Sequence, residues 1–355
     1  MKVLITGICG FVGHKLAGEL RRHVEGLQVI GIDNLSRPGS ELNRQSLREN
    51  QIDFIHADLR LASDLEGLAK VDWVIDAAAN PSVLAGVSGQ TSSRQLIEHN
   101  LVGTLNLLEY CKRHKAGLVL LSSSRVYSAA SLAGLPVETK DHAFVPKFAE
   151  IQQSGFSKEG VNETFSTEPP ISLYGSAKLA SEIVALEFGA AFGFPVYVNR
   201  CGILTGAGQF GKADQGIFSF WIHSWRERRS LTYIGFGGTG HQVRDAMHPR
   251  DLAGLIALQI RKSEKAGKTL NVSGGAANAM SLAQLSRWCT ERFGFHDVSS
   301  DPSSRPFDVP WLVLDSSRVD AEWHWQPTTS LESILEEIAR HAEARPDWLT
   351  ISDAR

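Results

Sequence analysis

The chain has 355 residues, 36 Lys and Arg against 39 Asp and Glu, a formal net charge of −3, and a composition that is 43% hydrophobic and 21% charged. That length suits one large α/β domain or two unequal ones, with a core that needs no metal or disulfide staple. The charge balance excludes a basic footprint for general nucleic-acid binding, the composition excludes a disordered chain, and no apolar run reaches the roughly 18 residues of a membrane span.

The first residues, Met1-Lys2-Val3-Leu4-Ile5-Thr6-Gly7, run from a short apolar stretch straight into glycines. They read as a strand over 3–5 rather than as a signal peptide. A helix is predicted over 11–19, then strands over 29–33, 54–58 and 73–77. A long helix follows over 96–114, with Leu101, Leu105, Leu108 and Cys111 on one face, and an apolar strand over 118–121. Strands that alternate with helices and are apolar on both faces predict a doubly wound parallel sheet. Residues 128–172 break the rhythm with Gly, Pro and charges and no sustained period. An unstructured insertion of that length is expected to be functional, as a lid or binding loop. A helix over 176–192 and a strand over 196–198 resume the pattern. The expected division is a nucleotide-binding domain over 1–204 and, over 205–355, a mainly substrate-binding lobe with segments returning to the first domain. A terminal amphipathic helix is predicted over 331–342.

Gly7-Ile8-Cys9-Gly10-Phe11-Val12-Gly13 is a G-x-x-G-x-x-G run between a strand and a helix. Its glycines allow a tight turn, the approach of backbone N–H groups to a pyrophosphate, and close helix–strand packing. The helix N-terminus adds its positive dipole end. Asp33 ends the second strand, 20 residues after Gly13, where a carboxylate can accept both ribose hydroxyls of NAD. Arg37 leaves an extra phosphate, and thus NADP, open, but Asp33 would repel that phosphate, so NAD is favoured. Asp58 stands at the end of the third strand to meet the adenine amine, and Ala77-Ala78-Ala79 leave room for the cofactor to cross the sheet edge.

Tyr174 and Lys178 lie at i and i+4, on one face of a helix. A lysine ammonium beside a phenol is expected to favour the phenolate, which can then take a proton from a hydroxyl during hydride transfer. The serines after Leu121 end a strand; Ser123 is the choice for orienting the substrate oxygen, with Ser124 the alternative. Cys9, Cys111, Cys201 and Cys289 are scattered, which suggests a reducing compartment such as the cytoplasm. The 12 histidines form no metal-ligand spacing, so no metal is expected.

Together these motifs resemble the extended short-chain dehydrogenase/reductase superfamily, over nearly the whole chain. Asn100-Leu101-Val102-Gly103-Thr104 resembles that family's N-x-x-G-T segment. The resemblance implies a Rossmann domain with a smaller C-terminal lobe for a nucleotide-diphosphate sugar. It implies cofactor contacts from Gly7, Gly10, Phe11, Val12, Gly13 and Asp33, and from Asn34, Arg37, Asp58 and Leu59. Ala77, Ala78, Ala79, Asn100, Tyr174 and Lys178 complete that set. Within the family, Asp33-Asn34-Leu35-Ser36-Arg37, Gly208-Gln209-Phe210 and Gln242-Val243-Arg244-Asp245 resemble the CDP-paratose 2-epimerases. That likeness implies an isomerase that inverts C2 of a CDP-sugar through a transient 2-keto sugar. Ser123, Ser124, Gln209, Arg244 and Arg305 would touch the substrate, the two arginines at its diphosphate. A sugar 4,6-dehydratase needs an Asp-Glu acid/base pair where Ser124 and Arg125 stand. A 4-epimerase or a 4-keto reductase is the alternative. A non-catalytic NAD-bound sensor is the reading from another class, and the retention of Ser123, Tyr174 and Lys178 counts against it. Relatives pair through two long helices, here those over 96–114 and 176–192, so a homodimer or tetramer is expected.

Overall fold

A computed structural model describes residues 1–87, 91–263 and 266–353. Seven parallel strands form the central sheet: β1 (Lys2–Thr6), β2 (Gln28–Asp33), β3 (Asp53–His56), β4 (Trp73–Asp76), β5 (Gly117–Ser123), β6 (Val196–Cys201) and, after an excursion, β8 (Lys268–Val272). Their order across the sheet is β8-β6-β5-β4-β1-β2-β3. The order reverses direction between β1 and β4, so the chain opens a crevice at their carboxyl ends.

Helices cover both faces because the strands are apolar on both. On one face, α1 (Phe11–His23) buries Leu16, Ala17 and Leu20, and α5 (Pro249–Gln259) packs beside it through Leu252, Leu255 and Ile256. On the other, α2 (Gly103–His114) and α3 (Leu173–Phe192) bury Leu107, Leu108, Cys111 and Ala185. The Ser172 hydroxyl accepts from the Gly175 N–H at 3.0 Å, and this cap starts α3 three residues earlier than the sequence pattern alone predicts. Tyr174 therefore sits in the first turn.

The second lobe is built on α4 (Ile217–Arg226), α6 (Leu282–Phe293) and α7 (Leu331–Ala344), whose Trp221, Trp225, Leu285, Ile334 and Ile338 share one core. Strand β7 (Val243–Met247) joins this lobe to the sheet edge, pairing with Ile203–Leu204 and Ala279–Ser281. The stretch 128–172 is not structureless. It folds a short helix (Ala129–Ala133) and two hairpins, Val137–Lys140 with Ala143–Pro146 and Phe156–Ser157 with Gly160–Val161. All four cysteines are free and buried. Among the described residues no helix is long and apolar enough to cross a membrane.

Candidate active site

The carboxyl edge of the sheet opens on a cavity of about 1080 Å³. The β1–α1 turn forms one wall, with Gly7 at φ +61°. A Cβ on Gly13 would meet the Gly7 carbonyl oxygen at 2.3 Å, so only glycine lets α1 abut the turn and aim its free N–H groups at the cavity. Gly7, Gly10, Phe11 and Val12 line it directly. Asp33 is pinned at the end of β2: Oδ2 accepts from the Cys9 N–H at 2.9 Å and Oδ1 from the Leu35 N–H at 2.8 Å. Burial pushes its carboxyl above the usual value, and these backbone bonds pull the other way. Asn34 donates to Asp58 at 3.1 Å, and Arg60 grips the same carboxylate at 2.6 Å, which holds Asp58 well below the usual range. Leu59, Ala77, Ala78 and Ala79 complete this wall. Thr6 shapes it from behind, accepting from the N–H groups of Ala77 and Ala78 and donating to Asp76 at 2.7 Å. The residues present fit a dinucleotide.

Two of the expected cofactor residues do not line the cavity: Gly13, which packs against the Gly7 turn, and Asn100. Asn100 is buried one layer behind, in a π-helical turn at Glu98–Val102. Its amide accepts from the Asn80 N–H at 2.8 Å and donates to the Asn80 carbonyl at 3.0 Å, so it positions the wall rather than lining it. Arg37 lines the cavity but gives its guanidinium to the Phe210 carbonyl and, at 3.1 Å, to Gln215 Oε1.

Ser123 ends β5, and Tyr174 and Lys178 come from the first two turns of α3. Ser123 and Ser124 both face the cavity with Tyr174, and of the two it is Ser123 that pulls the Tyr174 pKa down. Burial pushes the Tyr174 phenol up to about 12, opposed by the Ser123 bond and by the charge of Arg125. The expected lowering by Lys178 is replaced by Arg125, because the Lys178 ammonium donates to the Leu121 carbonyl at 2.9 Å and interacts with Asp76. Burial pushes Lys178 below its usual value. The contact of α3 with the turn after β5 is tight: a Cβ on Gly175 would meet the Arg125 carbonyl oxygen at 2.1 Å.

At the far end, Arg244 donates to Asp308 at 3.1 Å and to the Val309 carbonyl at 2.9 Å. Arg305 lines the cavity, and among the described residues its guanidinium has no ion-pair partner. Gln209 also lines it, but its amide is taken by Thr205 at 2.8 Å and the Leu204 carbonyl at 2.9 Å. The residues that cover the cavity are 79–85, 209–218 and 305–308. The 128–172 stretch, expected as a cover, does not line it, because Val161 and Phe165 are drawn into a core behind it with Leu312 and Leu314. The cover's own fastening was missed by sequence reasoning: Ser82 donates to Asp214 across the cavity, between residues 132 apart. Arg125 and Asp308 were missed as well; the signal for Arg125 was its unusual place beside the strand-end serines. No metal-binding cluster occurs among the described residues.

A family profile described as "NAD dependent epimerase/dehydratase family" matches residues 3–273. The chain belongs to that family. NAD is therefore the cofactor of this epimerase/dehydratase family member, and the wall from Gly7 to Asp33 is where it fits. Among its relatives, the CDP-paratose 2-epimerase of Salmonella typhi is 26% identical over 95% of this chain and 98% of the relative. The UDP-glucuronate 4-epimerase of Thermodesulfobacterium geofontis is 26% identical over 94% and 93%. In fold, the chain is similar to a dTDP-glucose 4,6-dehydratase from Streptomyces venezuelae, at TM-score 0.79, 22% identity and coverage of 99% and 100%.

Proposed function

We propose that the protein is an NAD-dependent nucleotide-sugar epimerase that inverts C2 of a CDP-linked sugar. The observation that carries this reading is that Ser123, Tyr174 and Lys178 face one cavity at the sheet's carboxyl edge, shared with Arg244 and Arg305. The likeness to a CDP-paratose 2-epimerase supports the choice of base and carbon.

NAD supplies the acceptor and donor of hydride when bound. Tyr174 takes the proton of the C2 hydroxyl as hydride leaves C2, and Ser123 holds the same oxygen. Lys178, fixed by the Leu121 carbonyl, stands one helical turn on and would hold the nicotinamide ribose. Arg244 and Arg305 hold the diphosphate while the 2-keto sugar turns over. Tyr174 then returns its proton as hydride re-enters the opposite face. A cavity of about 1080 Å³ leaves room for that rotation. Two chains pairing through α2 and α3, in the cytoplasm, complete the reading.

At the carbon itself the route moves a hydride and not a solvent-exchangeable proton. A CDP-sugar deuterated at C2 keeps its label through inversion, and the same reaction in D₂O adds none, as mass spectrometry reads directly. Inversion at C4 with C2 untouched makes the enzyme a 4-epimerase instead, and solvent deuterium at C2 rules out the hydride route.

A further inference from the structure

Among the described residues the guanidinium of Arg125 has no anionic partner. Its backbone N–H donates to Ser123 Oγ at 3.2 Å, and its carbonyl lies under the first turn of α3 beside Gly175. Arg125 is thus built into the same corner as the two reacting hydroxyls. Its side chain reaches across the cavity wall, where Nη1 donates to the Phe307 carbonyl at 3.4 Å. That is its only side-chain hydrogen bond among the described residues, and no carboxylate lies within 4.0 Å of it. Two other sheltered arginines are paired with carboxylates, Arg200 with Glu182 at 2.7 Å and Arg244 with Asp308 at 3.1 Å, while Arg37 is spent on the Phe210 carbonyl and Gln215. Arg125 is also surrounded by like charge. Burial, Arg244 and Arg305 lower its pKa to about 10, against the opposing pull of Asp308 and Tyr174. A sheltered guanidinium without an anion is costly to keep charged, and an anion brought to it recovers that cost.

We propose that Arg125 reads an anionic group on the sugar itself, a ring carboxylate, so that the substrate is a nucleotide-linked uronic acid. The planar guanidinium matches a carboxylate in a bidentate pair. The diphosphate is already provided for by Arg244 and Arg305, and a ring placed between Tyr174 and Ser123 brings its neighbouring substituents onto Arg125. This inference rests on the nucleotide-sugar reading and is independent of which carbon inverts.

The test is equilibrium binding to the NAD-loaded protein of UDP, UDP-glucose and UDP-glucuronate, and of CDP, CDP-glucose and CDP-glucuronate. In the wild type, the glucuronate of the preferred base binds at least about tenfold more tightly than the matching glucose. Arg125→Gln abolishes that preference and leaves the affinity for the nucleoside diphosphate within about threefold, whereas Arg125→Lys keeps part of the preference. Melting temperature and NAD content check that each variant folds, and the wild-type comparison decides the matter even where one does not. Equal affinity for the glucose and the glucuronate overturns the inference alone. Loss of affinity for UDP or CDP itself in Arg125→Gln makes Arg125 a diphosphate ligand and overturns it as well. Binding of none of the six removes the nucleotide-sugar reading and the inference with it.

Discussion

In the proposed reaction Tyr174 has to lose a proton in surroundings that oppose it. Its phenol is 6% exposed, and burial raises its pKa to about 12, so the charges around it decide how readily it acts as a base. Tyr174→Phe keeps the ring and removes the acceptor. Turnover should fall about 10²–10⁴-fold with the melting temperature nearly unchanged, which initial rates and a thermal melt on one preparation will show. At this scale the sequence was informative where chemistry depends on local spacing. Tyr174 and Lys178 are one helical turn apart, and Asp33 follows the glycine run at the distance a βαβ unit sets. It was uninformative where partners come from afar: Asp308 reaches Arg244 over 64 residues, and Asn100 reaches Asn80 through a π-helical turn that no periodicity announces.

Helix α7 docks on the nucleotide-binding half through one carboxylate. Glu337 lies 3.3 Å from His248 Nε2, 3.6 Å from Lys15 and 3.8 Å from Arg250. These groups, the His248 bond first, hold its pKa down at about 2 against an ordinary 4.5. A carboxyl depressed in the folded state contributes stability above its unfolded pKa and loses it as the pH falls toward the folded one. Glu337→Gln should therefore cost about 1 kcal/mol at pH 7, discounted for partial exposure, and the gap in melting temperature from wild type should close between pH 4.5 and 2. The loop around Gly211 is a second such element, held by Arg37 on one side and Ser82 on the other. Asp214→Ala frees one end, and the prediction is that NAD then leaves about tenfold faster in a dilution-release assay. Periodicity revealed the apolar strands and the helices of the first 204 residues and α7, because one face or both faces of each are buried, but not α4, α5 or α6. It missed β8, whose Lys268, Thr269 and Asn271 interrupt the apolar pattern. Asn271 is buried there because its side chain donates to the Val161 carbonyl at 2.8 Å and accepts from the Tyr127 hydroxyl at 2.6 Å.

For the molecule as a whole, Ile183 on α3 is 62% exposed, an apolar side chain on the helix proposed to meet a second copy. Ile183→Lys should convert a dimer to a monomer by light scattering while a thermal melt still shows a folded chain; a wild type already monomeric at micromolar concentration would end that proposal. The path of the backbone has a further outcome. The polypeptide leaves the sheet after Cys201, builds the first part of the second lobe, and comes back to lay Lys268–Val272 along Val196–Cys201 in register. A gene fragment ending at residue 204 would thus leave the six buried residues of β6 as a bare border, with peptide groups open to any passing chain. Such a fragment would precipitate, where its length alone suggests a tidy nucleotide-binding module. Because the return strand begins only at Lys268 of 355 residues, the sheet cannot close on the ribosome until most of the molecule has been made.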